Sequence, residues 1–219
     1  EKQAAIEAQW IKESQDEHWL QNRERRIRDV PKRLYGSMDG VQVPIGEEWR
    51  ELKILTWYRV DAIYGQEKHR SQEISYHCEI APAQEFGDLL WATGVKRLAD
   101  KAKELIFVCD GAVWIWNLVS HYFPNAVQIV DWYHACEYLA PIATVLFSEV
   151  SEKKEWLQKI KTWLWQGKTK KVIQECQKHL HSLAADAAQA AITYYSNNQH
   201  RMKYAEYRKK GYAIGSGTV

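Results

Sequence analysis

The chain has 219 residues, of which 46% are hydrophobic and 26% are charged, and its formal net charge is +2. This composition is typical of a globular protein and excludes a disordered chain, while the small net charge neither establishes nor excludes a polyanionic partner. No apolar run approaches the roughly 18 residues that a membrane-spanning helix needs, and no signal peptide is recognisable.

The cysteines and the two ends of the chain add three expectations. None of the four cysteines belongs to a CxxC pair, so we expect reduced thiols in a cytosolic protein and no structural zinc site. The chain starts with Glu1 in a helix-like composition and stops at Val219 without a polar tail. We interpret it as a fragment cut at both ends.

The first predicted element is a polar helix over residues 1–30, which Pro31 ends. A sparse apolar stripe runs along it, and its last turns are rich in arginine. Such a charge pattern is typical of a solvated helix face, and contact with nucleic-acid phosphates is the functional alternative. The arginines concerned are Arg23, Arg25, Arg26 and Arg28.

Three strands are predicted next, and they form an antiparallel meander. The first is centred on residues 35–41 and contains Asp39. The second, over residues 49–64, alternates apolar and polar side chains, and a polar turn at residues 65–71 leads to a third strand over residues 73–80.

The following stretch alternates helices and strands. A helix is predicted over residues 82–103, and a short apolar strand then ends on Asp110-Gly111. A second helix follows, Pro124 breaks the chain, and a second apolar strand ends on Asp131, with His134 three residues further on. The predicted order is β-β-β-α-β-α-β-α, which indicates an α/β fold with a mixed sheet.

Residues 141–210 are predicted to be almost wholly helical. A cluster of tryptophans at residues 156, 163 and 165 is interpreted as packing, because aromatic residues at helical spacing usually lie in a core. The last helix, over residues 201–210, is basic and aromatic, and Gly211 ends it.

Three aspartates are candidates for chemistry: Asp39, Asp110 and Asp131. Asp-Gly is an ordinary turn signal, so each of the first two can be a turn residue alone. Their positions at or near strand ends favour a site, because ligands gather at the carboxyl ends of strands in α/β sheets. If the strand before Asp110 lies beside the first strand, about 4.8 Å away, the two carboxylates converge.

Converging carboxylates repel one another, and a divalent cation resolves that repulsion. Ligands with oxygen donors alone favour magnesium or manganese. Two such ions can activate a water or hydroxyl and stabilise a leaving phosphate oxygen, which is phosphodiester chemistry. His134 and Glu137 would share a helix face with Asp131. We interpret this histidine as a supporting or core residue, since zinc would require more ligands.

The central stretch, residues 110–139, resembles the central motif of DDE transposases from bacterial insertion sequences, most closely the Kra-type group and more distantly Mutator-like enzymes. In that motif Asp-Gly leads into a Trp-Ile-Trp helix, and Phe-Pro, a strand and Asp-x-x-His follow. Residues 37–61 resemble the segment of the first acid, with its trailing Trp-x-Glu-x-Lys, and residues 211–219 resemble the lead-in to the third acid.

The resemblance implies roles for particular residues. Asp39 and Asp110 would be the first two catalytic acids and metal ligands, and Asp131 and His134 would support the site. The third acid would follow Val219, so the fragment would lack a complete metal site. Glu137 as a substitute is a less favoured alternative.

The resemblance also implies the architecture and the partners. The fold would be ribonuclease-H-like, with an N-terminal polar helix (residues 1–30), a catalytic core (31–140), a helical insertion (141–203) and a truncated final core segment (204–219). The intact enzyme would use two Mg²⁺ or Mn²⁺ ions to cleave and join double-stranded DNA as a homodimer on paired ends, in the cytoplasm and associated with the nucleoid. Five basic residues are candidate DNA contacts: Arg201, Lys203, Arg208, Lys209 and Lys210.

Two alternatives remain open at this stage. One is a ribonuclease-H-like nuclease that hydrolyses nucleic acid without joining it. The other is a catalytically incomplete or domesticated remnant that binds DNA.

Overall fold

The computed structural model describes residues 2–62 and 69–215, which divide into two compact units. The first unit extends to Gln128, and the second starts at Ile129. Each unit is described by itself below.

Two short helices open the first unit, α1 (Lys2–Gln15) and α2 (Glu17–Glu24). The prediction of one continuous helix over residues 1–30 is therefore wrong. Asp16 has an extended backbone (φ −89°, ψ 110°), and its carboxylate accepts a hydrogen bond from the backbone N–H of Trp19 at 3.0 Å. An aspartate in this position caps a new helix and thereby interrupts the previous one.

The first unit then forms most of a mixed sheet. Its strands and helices are β1 (Arg33–Ile45), β2 (Glu48–Ala62), β3 (His69–Glu79), α3 (Ala83–Lys96), β4 (Glu104–Cys109) and α4 (Val113–Tyr122). The last strand, β5 (Val127–Val130), begins in the first unit and ends in the second. The strand order is β3-β2-β1-β4-β5. The predicted mixed α/β class is confirmed.

The first three strands form the predicted antiparallel meander. Each is longer than or shifted from its predicted range, and the third begins at His69, so the end of the predicted turn at residues 65–71 is already strand. The remainder of that turn lies outside the described residues.

An aromatic cluster holds α3 against the sheet in the first unit. Trp57 of β2 meets Phe107 of β4 and Phe123 edge to face, with ring centroids 5.5 and 5.9 Å apart. The indole N–H of Trp57 donates a hydrogen bond to Thr93 Oγ1 of α3 at 2.9 Å, so the buried polar atom is satisfied.

The second unit is helical after the end of β5. Its helices are α5 (Trp132–Glu137), α6 (Ala140–Leu146), α7 (Val150–Trp165), α8 (Thr169–Gln177), α9 (Ala185–Asn198) and α10 (Tyr204–Lys209), with a 3₁₀ turn at Gln199–Arg201. The predicted final helix over residues 201–210 is shorter, because the 3₁₀ turn ends at Arg201 and α10 begins only at Tyr204.

Two buried tyrosines connect the later helices of the second unit to its start. Tyr195 of α9 donates a hydrogen bond to the carbonyl of Ala135 at 2.6 Å, and Tyr204 of α10 donates one to the carbonyl of Val130 at 3.0 Å. Burial raises the pKa of both phenols well above their usual value, so both act as neutral donors. No helix in the described part of the chain is long and apolar enough to cross a membrane.

Candidate active site

The candidate site is built on two neighbouring parallel strands, β1 and β4. Their register pairs Arg33 with Glu104 and Gly36 with Phe107. Each pair joins residues 71 positions apart in the sequence. Beyond the last pair, Ser37 Oγ donates a hydrogen bond to the carbonyl of Val108 at 2.6 Å, and these two residues are also 71 positions apart. The strands β1 and β4 are therefore neighbours, as the predicted convergence of Asp39 and Asp110 requires.

Asp39 and Asp110 occupy equivalent positions in this register. The backbone N–H of Met38 contacts the thiol sulfur of Cys109 at 3.4 Å, again at an offset of 71 residues, and the two aspartates are the next residues along the chain. Because parallel strands run in the same direction, both acids follow the paired region at the same edge. Both are half-buried.

Each aspartate accepts a hydrogen bond from a nearby backbone N–H. Asp39 Oδ1 accepts a hydrogen bond from the N–H of Gly40 at 2.7 Å. Asp110 Oδ1 accepts one from the N–H of Ala112 at 2.8 Å, across Gly111, whose φ of 106° favours glycine. This turn leads directly into α4. Asp110 can therefore be both the first residue of a turn and a residue of the candidate site.

The donor set at these positions suits a hard divalent cation. Two carboxylates at one sheet edge provide the oxygen donors that Mg²⁺ prefers, and Mg²⁺ commonly takes one or two protein carboxylates and completes its shell with water and phosphate. Among residues 2–62 and 69–215, no group of three or more His, Cys, Asp or Glu side chains is arranged to hold a metal ion. The two acids therefore fit as part of a metal site.

The Trp-x-Glu-x-Lys segment lies beside the first acid. Lys53 of β2 is paired with Gly40 across the strands, and its side chain is 7% exposed. Its ammonium contacts Glu51 Oε2 at 2.5 Å and lies 5.4 Å from the ring centroid of Trp114 in α4. This buried lysine was not predicted as a site residue, although its i, i+2 spacing from Glu51 on a strand indicates a shared face.

In the second unit, Asp131 is a helix cap. It is 2% exposed, and its Oδ1 accepts hydrogen bonds from the N–H groups of Tyr133 at 2.6 Å and His134 at 3.2 Å at the start of α5. His134 Nδ1 lies 3.3 Å from Glu137 Oε2, as expected for residues one turn apart on a helix. Burial raises the pKa of the neighbouring Cys136 thiol to about 11, which disfavours the thiolate that a metal would need.

The five basic candidates near the end of the second unit differ in their surroundings. The guanidinium of Arg208 stacks 3.9 Å from the ring centroid of Trp165 and donates a hydrogen bond to the carbonyl of that residue at 3.1 Å. Arg201 is half-buried and donates a hydrogen bond to Asn198 Oδ1 at 3.3 Å. The three lysines are exposed: Lys203, Lys209 and Lys210.

Comparison with known proteins adds one finding. A protein-family model described as a transposase, of the ISL3 type of DDE transposases, matches residues 87–213, which is more than half of the chain. A search of curated proteins finds no match. The matched family is the ISL3 type, so the Kra-type and Mutator-like subtypes of the sequence resemblance are not confirmed.

Proposed function

Because this chain belongs to the ISL3-type family of DDE transposases, we propose that Asp39 and Asp110 are its first two catalytic acids in metal-dependent DNA cleavage and strand transfer. The observation that carries the proposal is the shared register of β1 and β4, which brings both acids to equivalent strand positions. An antiparallel meander followed by parallel β4 supports a ribonuclease-H-like sheet.

The two carboxylates would hold Mg²⁺ or Mn²⁺, and each also accepts a backbone N–H bond, from Gly40 and from Ala112. Those backbone bonds orient each carboxylate before DNA arrives, so less orientational freedom is lost on binding. When bound, the metal ions would activate water, and then a DNA 3′-hydroxyl, as the nucleophile and stabilise the leaving oxygen. No covalent bond between enzyme and DNA is required.

Asp131 and His134 would be supporting residues rather than catalytic ones. The capping bonds at the start of α5 use the Asp131 carboxylate, and His134 is oriented by Glu137. The exposed Lys203, Lys209 and Lys210 would contact DNA phosphates, and two copies of the protein would hold the paired ends at the nucleoid.

The proposal is tested by strand transfer with Mg²⁺ in the full-length protein, on duplexes that carry the element's ends. We expect Asp39→Asn and Asp110→Asn each to reduce joining by at least about 100-fold, the scale on which the removal of one electrostatic interaction slows a reaction. Asp29→Asn, at an exposed aspartate of the first unit, is the matched control and should leave joining unchanged.

Three results would contradict the proposal. Full activity of Asp110→Asn would show that Asp110 is not a catalytic acid. Cleavage without joining by the wild-type protein would identify a nuclease. DNA binding without cleavage by the wild-type protein would identify a binding remnant.

A further inference from the structure

The end of α7 and the start of α8 carry an unusual concentration of positive charge. Between Glu155 and Glu175 the chain contains five lysines and no acidic residue. Since the whole chain has a net charge of only +2, the rest of it is net acidic. The lysines are Lys159, Lys161, Lys168, Lys170 and Lys171.

An aromatic ring gathers lysines of both helices on one side. The ammonium of Lys171 in α8 lies 4.0 Å from the ring centroid of Trp163 in α7, and that of Lys159 lies 5.1 Å from the same centroid. Both lysines are exposed and the ring is half-buried. Such cation–π contacts restrict two flexible side chains to neighbouring positions.

The turn between the two helices lies against α10. A Cβ atom on Gly167 would be 3.9 Å from Ala205 Cβ and 4.0 Å from Lys203 Cα. The stacking of Arg208 on Trp165 joins the same two regions. The lysines of α7 and α8 therefore continue the exposed basic surface of α10.

The five lysines around the α7–α8 turn have no direct carboxylate partner among the described residues. Glu175, the acid next along α8, is buried and its carboxylate is paired with Lys178 at 2.6 Å. In addition, α8 has no side-chain cap, so its first backbone N–H groups add to the positive potential.

We propose that Lys159, Lys168, Lys170 and Lys171 extend DNA binding onto α7 and α8, where they contact the phosphate backbone of a duplex and read no bases. Lysine ammonium groups suit phosphates as point charges, and a row of them provides sequence-independent affinity. The inference rests on the proposed function, because it takes duplex DNA as the partner.

A lipid surface is a different partner for a basic patch, and the structure disfavours it. Helices that lie on membranes present apolar residues opposite their basic ones. The apolar side chains Val172 and Cys176 of α8, in contrast, are fully buried. A basic surface on a helix whose apolar face is buried in the protein fits a nucleic-acid backbone.

The test compares two double variants of the 219-residue chain that remove the same amount of charge. Lys170→Gln with Lys171→Gln removes charge from α8, and Lys2→Gln with Lys12→Gln removes it from exposed positions of α1. Binding to a labelled duplex is measured by fluorescence anisotropy at several salt concentrations in EDTA, so that the result does not depend on a metal or on Asp39 and Asp110. Circular dichroism verifies that each variant is folded.

We expect the α8 variant to bind several-fold more weakly, by the same factor on end and unrelated sequences. Its slope of log affinity against log salt should be smaller by roughly 0.9 for each phosphate that the variant no longer neutralises. The α1 variant should match the wild type. An unchanged affinity and slope in the α8 variant, or its weaker binding to phosphatidylserine vesicles with unchanged DNA binding, would overturn the inference. Either result leaves the strand-transfer test unaffected.

Discussion

At the scale of single residues, two strand-end aspartates with similar sequence contexts have different local structures. Asp110 is separated from its helix by Gly111 and Ala112, and its carboxylate accepts the N–H of Ala112 within the turn. Asp131 directly precedes its helix and receives two N–H groups while almost fully buried. The two residues between Asp110 and its helix therefore distinguish an acid in a turn from Asp131, which caps a helix.

Gly36 of β1 provides a prediction at this scale. A Cβ atom there would lie 2.5 Å from Cε1 of Phe107, whose ring is fixed between Trp57 and Phe123. We expect Gly36→Ala to lower the free energy of unfolding by about 1–3 kcal/mol, the usual cost of overpacking. Urea unfolding followed by circular dichroism measures the change.

Gly40→Ala is the matched control on the same strand. Its added methyl group would meet the carboxylate end of Glu51, which is flexible and can move away. We expect the control to be much less destabilising than Gly36→Ala. Equal destabilisation of both variants would show that the strand backbone, rather than the Phe107 ring, determines the cost.

At the scale of elements, the N-terminal helices show how one side chain changes an interpretation. Four arginines near the end of the predicted N-terminal helix were expected to face solvent or to contact DNA. Arg23 instead binds Asp100 with two hydrogen bonds of 3.0 and 2.8 Å. Arg25, Arg26 and Arg28 are exposed. Arg23 therefore attaches α2 to the segment that follows α3.

Replacement of Arg23 tests this attachment. We expect Arg23→Ala to destabilise the protein by about 2–3 kcal/mol, because it removes two charge-assisted hydrogen bonds from the mostly buried Asp100 and leaves it only Lys101 at 4.0 Å. Arg28→Ala, at an exposed position, should change stability by less than about 0.5 kcal/mol. Thermal unfolding of both variants provides the comparison, and a similar effect of the two would contradict the role of Arg23.

These elements show what could be predicted from the sequence. Alternating side chains were sufficient to predict β2 and β3 of the meander, because that pattern is local. The pairing of Arg23 with Asp100 joins residues 77 positions apart, and no local pattern encodes it. The sequence did not predict that β1 and β4 are neighbours; it predicted only that Asp39 and Asp110 would converge if they were. The roles of these two aspartates remain proposals.

At the scale of the whole molecule, stability should depend on pH through carboxylates in both units. Hydrogen bonds from Lys96 and Gln9 lower the pKa of Glu13 in the first unit. In the second unit, burial acts to raise the pKa of Glu175, but the hydrogen bond from Lys178 and nearby positive charges outweigh burial and lower it. Since both pKa values are below their unfolded values, the unfolded state binds more protons in acid, and stability decreases as the pH falls below about 4.5.

The double variant Glu13→Gln with Glu175→Gln isolates this contribution. At pH 7 we expect it to be less stable than the wild type by about 1 kcal/mol, a small value because the Lys96–Glu13 pair is partly exposed and Lys178 of the other pair is exposed. At pH 3 the difference should shrink, since the unfolded wild type then binds protons at these carboxylates more readily than the folded protein does. Urea unfolding at both pH values measures it, and an equal difference at pH 7 and pH 3 would exclude ionisation as the cause.

The constant offset of 71 residues between β1 and β4 has a consequence for insertions and deletions. Successive strand residues point to opposite faces, so the deletion of one residue between Arg33 and Asp39 would turn that carboxylate to the other side of the sheet. Length changes in a surface connection would alter the offset in sequence and leave the pairing of the two strands intact. Length variation is thus tolerable between these two strands and harmful within them.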